Sequence, residues 1–244
     1  MGVSRLYNII KKKVMEISKI KNFLLDVFFP KFCFGCQKEG SYLCPDCKSV
    51  LDISGFHLEN KTKNLEDLYF ALEYKAPLIK KLVQKFKYEP FAREIASNLA
   101  SLIIEHFQQL EKVPAFLKEK RGVLIVPIPL ENRRLRWRGF NQAEEIGKVL
   151  SKLLEIPLLS NLLFKIKEAP PQIVLSGRER KENVKGTFLV KNKGLAENKK
   201  ILLIDDVYTT GSTMEEAAKV LKEAGAKEIV GIAFARAEPT GDQL

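Results

Sequence analysis

The sequence lacks most of what would mark a membrane-spanning or exported protein. Across 244 residues no apolar run comes near the ~20 residues that a bilayer span requires. The opening stretch, "MGVSRLYNIIKKKVMEISKIKNFLLDVFFPKF", has no uninterrupted hydrophobic core followed by a small-residue cleavage site, so it does not read as a secretion signal. A cytoplasmic location is the resulting expectation. Histidine is scarce: only His57 and His106 occur, neither sits in a pattern with a nucleophile or an acid, and both read as ordinary residues. Cysteine is absent outside residues 33–47, and internal repeats and low-complexity segments are absent throughout.

Acidic residues are in deficit. Forty-one Lys and Arg against 30 Asp and Glu leave a formal charge of +11, which favours anionic partners such as nucleotides, nucleic acid or a membrane surface without choosing among them; a solvated basic surface fits equally. In residues 1–30, Ile10, Val14, Ile17, Leu24 and Val27 recur at roughly helical spacing among lysines, which predicts an amphipathic helix. Such a helix docks on the rest of the protein, or makes weak contact with a membrane surface or a partner helix.

All four cysteines fall in "CFGCQKEGSYLCPDC". Cys33 and Cys36, then Cys44 and Cys47, form two CxxC knuckles that suit one tetrahedral Zn²⁺, with Gly35, Gly40 and Pro45 shaping the turns. Four sulfur ligands leave no open position, so the site would be structural, and metal binding would drive folding of a segment poor in apolar residues. Two disulfides or a redox CxxC are the competing readings; an unexported chain in a reducing compartment speaks against the first.

Beyond this module (residues 31–64, including the polar linker that starts near Leu51), a domain is expected over 65–244. The pattern predicts a strand at 68–74, a helix from about Pro77, and a longer helix over 91–110. "GVLIVPIPL" predicts a buried strand, and "ENRRLRWRGFNQAEEIGKVLSKLL" a basic loop continuing as a helix from about Asn141. "KILLIDDV" predicts a second buried strand, "TMEEAAKVLKEAGA" a helix ending before Gly225, and "KEIVGIAFARA" a third strand. Alternation of this kind predicts an α/β domain with a mostly parallel sheet.

The stretch "IDDVYTTGST" puts Asp205 and Asp206 at the end of a buried strand, ahead of a loop leading into a helix, where α/β sheets bind ligands. Gly211 admits close approach of the main chain, and the hydroxyls of Thr209, Thr210, Ser212 and Thr213 add donors suited to a phosphate monoester. No lysine follows the glycine, which argues against a nucleoside-triphosphate loop. The two acids would repel a phosphate placed on them but would accept from vicinal hydroxyls, so a sugar 5-phosphate fits both halves. Simple helix capping needs fewer residues than these.

"ILLIDDVYTTGST" resembles the phosphoribosyl pyrophosphate (PRPP) motif of type I phosphoribosyltransferases. Together with "FFPKFCFGC", "LCPDC", "KFKY" at 85–88, "VPIPLENRRLRWRGFNQAE" from Val126 and "PPQIVLSGRERKENVKGTF" from Pro170, it makes the chain similar to the competence-associated ComF family over nearly its whole length. The resemblance implies an α/β fold with a mostly parallel sheet of the type I phosphoribosyltransferase kind, preceded by a small four-cysteine zinc module. It implies that Asp205 and Asp206 bind ribose hydroxyls, directly or through Mg²⁺, and that Thr209, Thr210, Gly211, Ser212 and Thr213 bind the 5-phosphate. Residues 129–134 would form the pyrophosphate loop, with Arg133, Arg134, Arg138 and Asn141 contributing. Residues 165–185 would match a flap, where Lys165, Lys167 and Ala169 stand in place of two arginines and a threonine, which weakens bidentate recognition.

Two functions follow as expectations. The first is an enzyme that transfers a phosphoribosyl group to an unidentified acceptor, linked to DNA uptake. The second is a non-catalytic PRPP or nucleotide sensor, or a module that binds single-stranded DNA or a competence helicase, with the arginines of "RRLRWRGF" beside Trp137 and Phe140 holding the strand.

Overall fold

The computed structural model describes residues 30–59, 62–88, 92–166 and 184–237. The expected amphipathic helix at 1–30, Lys167, Ala169 and most of the flap lie outside the described residues. The chain divides into two compact units, Met1–Leu51 and Asp52–Leu244. Residues 52–59, expected to be linker, belong to the second unit. The N–H of Ser54 bonds to the Ala71 carbonyl at 2.8 Å, and β1 (Leu58–Glu59) pairs antiparallel with β2 (Asp67–Glu73).

In the first unit the described residues form a short bridge between Phe32 and Glu39, and a five-residue helix, α1 (Pro45–Ser49). Stacking of Phe34 on Tyr42, with centroids 5.3 Å apart, supplies its apolar contact.

The second unit is built on a five-stranded sheet of order β1-β2-β7-β6-β3, with β3 at Val123–Pro127, β6 at Lys200–Tyr208 and β7 at Glu228–Arg236. All pairs except β1–β2 are parallel. β2, β6, β7 and β3 are near-continuous apolar runs because both faces of the sheet are covered. On one face lie α3 (Ile95–Gln109) and α6 (Gln142–Leu154), which pack on each other and on the strands. On the other, α7 (Ser212–Glu223) buries Met214, Ala217, Ala218 and Leu221, one stripe at i, i+3, i+4, i+7, in a cluster with Ile201, Leu203, Ile229 and Val126. A helix α2 (Pro77–Tyr88) buries Ile79, Leu82, Val83 and Phe86 at the same spacing.

Two features differ from the sequence expectation. The basic loop is a seven-residue helix, α5 (Asn132–Arg138), which follows the short α4 (Ala115–Lys118) and β3. Arg, Leu and Trp are tolerable helix formers, and Gly139 at φ +77° ends the turn in the left-handed conformation. A small antiparallel hairpin, β4 (Leu163–Lys165) with β5 (Phe188–Val190), also forms, too short to show a periodic signal.

His106 is buried among Tyr69, Phe70 and Phe107, and its Nδ1 lies 2.6 Å from the Ser54 carbonyl, an interior contact with no acid or nucleophile partner among the described residues. Gly231 in β7 faces the α7 side, where an added Cβ would lie 2.5 Å from Met214 Sδ and 3.0 Å from Leu68 Cδ1. Gly231→Val is therefore expected to lower stability by about 1–3 kcal/mol through overpacking, read as a lower urea midpoint at unchanged slope.

Candidate functional site

β6 outruns its neighbour. β3 ends in register with Ile204, the Ile128 N–H bonds back to the Ile204 carbonyl at 2.9 Å, and β6 continues along β7 as far as Tyr208. Asp205 and Asp206 thus lie in the strand, at its carboxyl end, beyond the point where β3 has left. Each is half-buried and has one oxygen committed to the next backbone N–H: Asp206 N–H to Asp205 Oδ1 at 2.8 Å, and Val207 N–H to Asp206 Oδ1 at 2.7 Å.

The loop expected from Val207 is shorter than anticipated, since the strand runs through Tyr208 and only Thr209–Gly211 separate it from α7. Gly211 adopts φ +77°, and a Cβ there would lie 2.1 Å from the Tyr208 hydroxyl, so position 211 accepts glycine on both counts. The Thr210 and Ser212 hydroxyls share a hydrogen bond of 3.0 Å. Gly211 offers no capping side chain to the first turn of α7, and the Ser212 N–H makes only a long 3.5 Å contact to the Thr210 hydroxyl in the loop. Glu215 in that turn is occupied elsewhere, accepting from the Thr62 hydroxyl and, at 2.6 Å, from Asn64 Nδ2.

Cations surround the acid pair. Lys87, near the end of α2, places its Nζ 2.9 Å from Asp206 Oδ2. The "KFKY" block marks this region in the sequence but gives Lys87 no role, because nothing local signals that a helix terminus reaches β6. Burial alone would lower the Lys87 ammonium's pKa, but Asp206 and Asp205 together outweigh it and hold it above the ordinary lysine value. Lys165 on β4 is drawn below its ordinary value by burial and by Arg134, against the pull of Glu131 and Asp205, which puts these four groups in one electrostatic neighbourhood. Burial and the adjacent Asp206 charge push Asp205 up to about 7, while the Asp206 N–H, Lys87 and Lys165 oppose the shift.

The other expected contributors differ. Arg134 faces Glu131, with Nε 3.8 Å from Oε2; Glu131 is a buried acid that the motif resemblance does not single out. Arg138 lies over the Tyr88 ring at 5.2 Å and donates to Gln142 Oε1 at 3.1 Å, while its Nε is buried without a partner among the described residues. Asn141 is consumed by the fold. Its Oδ1 caps α6 by accepting from Ala143 N–H, and its Nδ2 donates to the Ile128 carbonyl at 2.9 Å, so both ends of its amide are engaged within the protein and tie the start of α6 to the segment leaving β3. Arg133 is exposed. The described residues on either side of 167–183 are tied down: Ile166 N–H bonds to the Thr187 carbonyl, and Gly186 N–H donates to Glu216 Oε1 on α7 at 2.8 Å.

In the first unit the ligand atoms of Cys33, Cys36, Cys44 and Cys47 all lie within 4.8 Å of one another. None of the four is in a disulfide, and Cys36 Sγ is 3.5 Å from Cys44 Sγ, too far for one. A tetrahedral zinc with bonds of about 2.3 Å spaces its sulfurs about 3.8 Å apart, which this cluster matches. The N–H groups of Cys44 and Cys47 point at Cys33 Sγ and Cys44 Sγ, each at 3.4 Å, as outer donors to thiolates. Burial would raise the Cys33 thiol, but backbone donors bring it down to about 6, whereas the neighbouring sulfur of Cys36 and burial push Cys47 up to about 12. Crowded thiols of this kind ionise together only around a cation, so the residues fit a structural zinc.

Two outcomes are expected. Protein purified without chelator will contain about one zinc per chain by elemental analysis, and Cys44→Ser will lose it; a content far below one would overturn the assignment. Asp205, raised from 3.8 to about 7, contributes most stability when protonated in both states, below about pH 4, and that contribution is lost as pH rises through 7. Asp205→Asn is therefore expected to be more stable than the native chain by about 2 kcal/mol at pH 8, with the gain shrinking toward zero near pH 4, as read by urea unfolding.

The model of the phosphoribosyl transferase domain matches residues 145–242, in agreement with the mostly parallel α/β sheet. Competence protein F of Haemophilus influenzae is 33% identical over 211 residues, covering 84% of this chain and 90% of that protein. DNA utilization protein YhgH of Escherichia coli is 29% identical over 202 residues, covering 81% and 85%. Among solved structures, the glutamine PRPP amidotransferase from B. subtilis aligns with 58% of this chain and 26% of its own at 17% identity, with a TM-score of 0.38. At the identity and coverage of the Haemophilus protein, the chain belongs to the ComF family, as a phosphoribosyltransferase-like α/β domain preceded by a four-cysteine module.

Proposed function

We propose that the crevice at the carboxyl end of β6 binds PRPP with Mg²⁺, and that the protein transfers the phosphoribosyl group to an acceptor in the service of DNA uptake from within the cytoplasm. The observation that carries this reading is the pairing of two half-buried acids with a helix start whose N-cap residue is a glycine and whose first amide is only weakly engaged, across the three-residue loop Thr209–Gly211. The carboxylate oxygens of Asp205 and Asp206 accept from the ribose hydroxyls, and the hydroxyls and N–H groups of Thr209, Thr210, Gly211, Ser212 and Thr213 donate to the 5-phosphate. Arg134 and Lys165, with Lys167 beyond the described residues, face the diphosphate. Mg²⁺, when bound, would neutralise the departing diphosphate. Departure leaves an oxocarbenium-like sugar carbon, so fixed charges around it do more than any covalent nucleophile could. The DNA-uptake part of the reading rests on the names of the competence and DNA-utilization relatives.

A second reading, single-stranded DNA or helicase binding without turnover, is supported by one surface. Trp137 is 69% and Tyr88 55% exposed, their rings are 5.5 Å apart, and exposed Arg133 and Arg136 flank them on α5. Phe140, expected to join them, is 6% exposed and packs on Phe86, so Tyr88 takes its place.

Calorimetric titration with PRPP and Mg²⁺ tests the first reading. The native chain is expected to bind in the micromolar range, and both Gly211→Val and the Asp205→Asn, Asp206→Asn pair to lose at least about tenfold, since each charge-assisted hydrogen bond contributes roughly 1.5–3 kcal/mol. No binding by the native chain would sink it. Salt-sensitive binding of a single strand that survives the double substitution and fails in Trp137→Ala would favour the second.

A further inference from the structure

Lys87 is held in place from outside the crevice. On one side of it, Phe86 is fully buried against Phe140, with ring centroids 5.6 Å apart, and the Phe86 carbonyl accepts from Gln142 Nε2 at 3.3 Å. On the other side, Tyr88 lies beneath the Arg138 guanidinium, which is itself bonded to Gln142. The corner from the end of α5 to the start of α6 therefore clamps the last turn of α2, and the lysine between the two aromatic residues projects its ammonium to Asp206 Oδ2 at 2.9 Å. Both side chains are mostly covered, at 23% and 13% exposure.

The oxygens of the acid pair can be counted. Asp205 Oδ1 and Asp206 Oδ1 are taken by backbone N–H groups. Asp206 Oδ2 is taken by Lys87. A sugar hydroxyl can still donate to a carboxylate oxygen that carries one ammonium contact, but a divalent cation that approaches Asp206 Oδ2 meets a like charge 2.9 Å from that oxygen and is opposed unless the ammonium moves away. The lysine stem is flexible and its compact charge carries three donors, so it can leave one acceptor for another without movement of the helix.

We propose that Lys87 is the resident counter-ion of the ligand-free site: it competes with a divalent cation for Asp206 and yields that oxygen only when a diphosphate offers the ammonium a better acceptor. The first half concerns the metal alone. The second half rests on the PRPP reading above. Together they make metal and diphosphate binding mutually reinforcing, because each removes an obstacle to the other, and linkage requires the same factor in both directions. Lys87 is thus a positioning residue that sets the order and coupling of binding, in addition to its contribution to the packed end of α2.

The test uses the full zinc-loaded chain and Mn²⁺ as the probe, followed by electron paramagnetic resonance, in native, Lys87→Met and Lys87→Arg forms. Without sugar phosphate, Lys87→Met is expected to bind Mn²⁺ at least about tenfold more tightly than the native chain, and Lys87→Arg to bind as weakly as native because the charge is kept. With PRPP present, Mn²⁺ affinity should rise at least about tenfold in the native chain and by a smaller factor in Lys87→Met. Equal Mn²⁺ affinities in native and Lys87→Met, or no measurable binding by either, would overturn the proposal, and a purely structural lysine would show lower stability with unchanged metal affinity. Lys87→Gln, which keeps a hydrogen-bond donor and removes the charge, replaces the Met variant if that does not fold. Should PRPP fail to bind every form, the functional reading falls while the metal-only comparison still decides the role of the lysine.

Discussion

Two carboxylates on neighbouring residues at the end of a buried strand repel each other, and the domain is arranged around that repulsion. Asp205 and Asp206 have lost much of their water, and each has only one backbone N–H in compensation. The raised pKa of Asp205 expresses the residual cost. Cations from distant parts of the chain offset it: Lys87 from α2 and Lys165 from the β4–β5 hairpin, about 120 and 40 residues before the acids in sequence. A site assembled this way is less stable than an apolar replacement would be, and is stabilised by whatever ligand brings hydroxyl donors or further positive charge.

The same constraint accounts for polar contacts that would otherwise look incidental. Asn141 caps α6 and ties down residue 128, so the segment leaving β3 turns away and exposes the end of β6. Gln142, the next residue, reaches the Phe86 carbonyl and fixes the turn that carries Lys87. Glu216 on α7 holds Gly186 beside the base of the hairpin that carries Lys165. Three buried or half-buried polar side chains thus set where the charges stand, and none of them needs to touch a ligand.

These supports explain which parts of the molecule were legible in the sequence. β6, α7 and β7 follow from apolar runs and a clean helical stripe because burial on both faces of a parallel sheet leaves its mark on consecutive residues. The cysteine cluster and the acid–loop pair were legible for a similar reason: each is a local spacing that chemistry restricts. Lys87 was not, since its partner lies 119 positions away and its own neighbourhood is an ordinary basic helix end. Asn141 was legible as a polar residue near the site but not in its role, because a capping asparagine and a phosphate-binding one look alike in one dimension. The hairpin leaves no trace in the sequence because strands of three residues carry no period, and α5 leaves little because arginine-rich segments read equally well as loops.

The helical form of α5 also changes how the two functional readings relate. Read as a loop, "RRLRWR" would offer one set of arginines for which a diphosphate and a nucleic acid would have to compete. In a helix, residues four apart share a face. Arg134 and Arg138 are half-buried on one side, against Glu131 and Tyr88, whereas Arg133, Arg136 and Trp137 are exposed on the other. Under the proposed reading the diphosphate draws on Arg134 from the inward side and a nucleic-acid partner on the outward set, so the two readings call on different residues of one short helix. Occupation of the crevice and of the outer face then need not exclude each other, although Tyr88, which packs on Trp137 and lies under Arg138, follows Lys87 directly in the chain and so joins the outer face to the helix end that reaches Asp206.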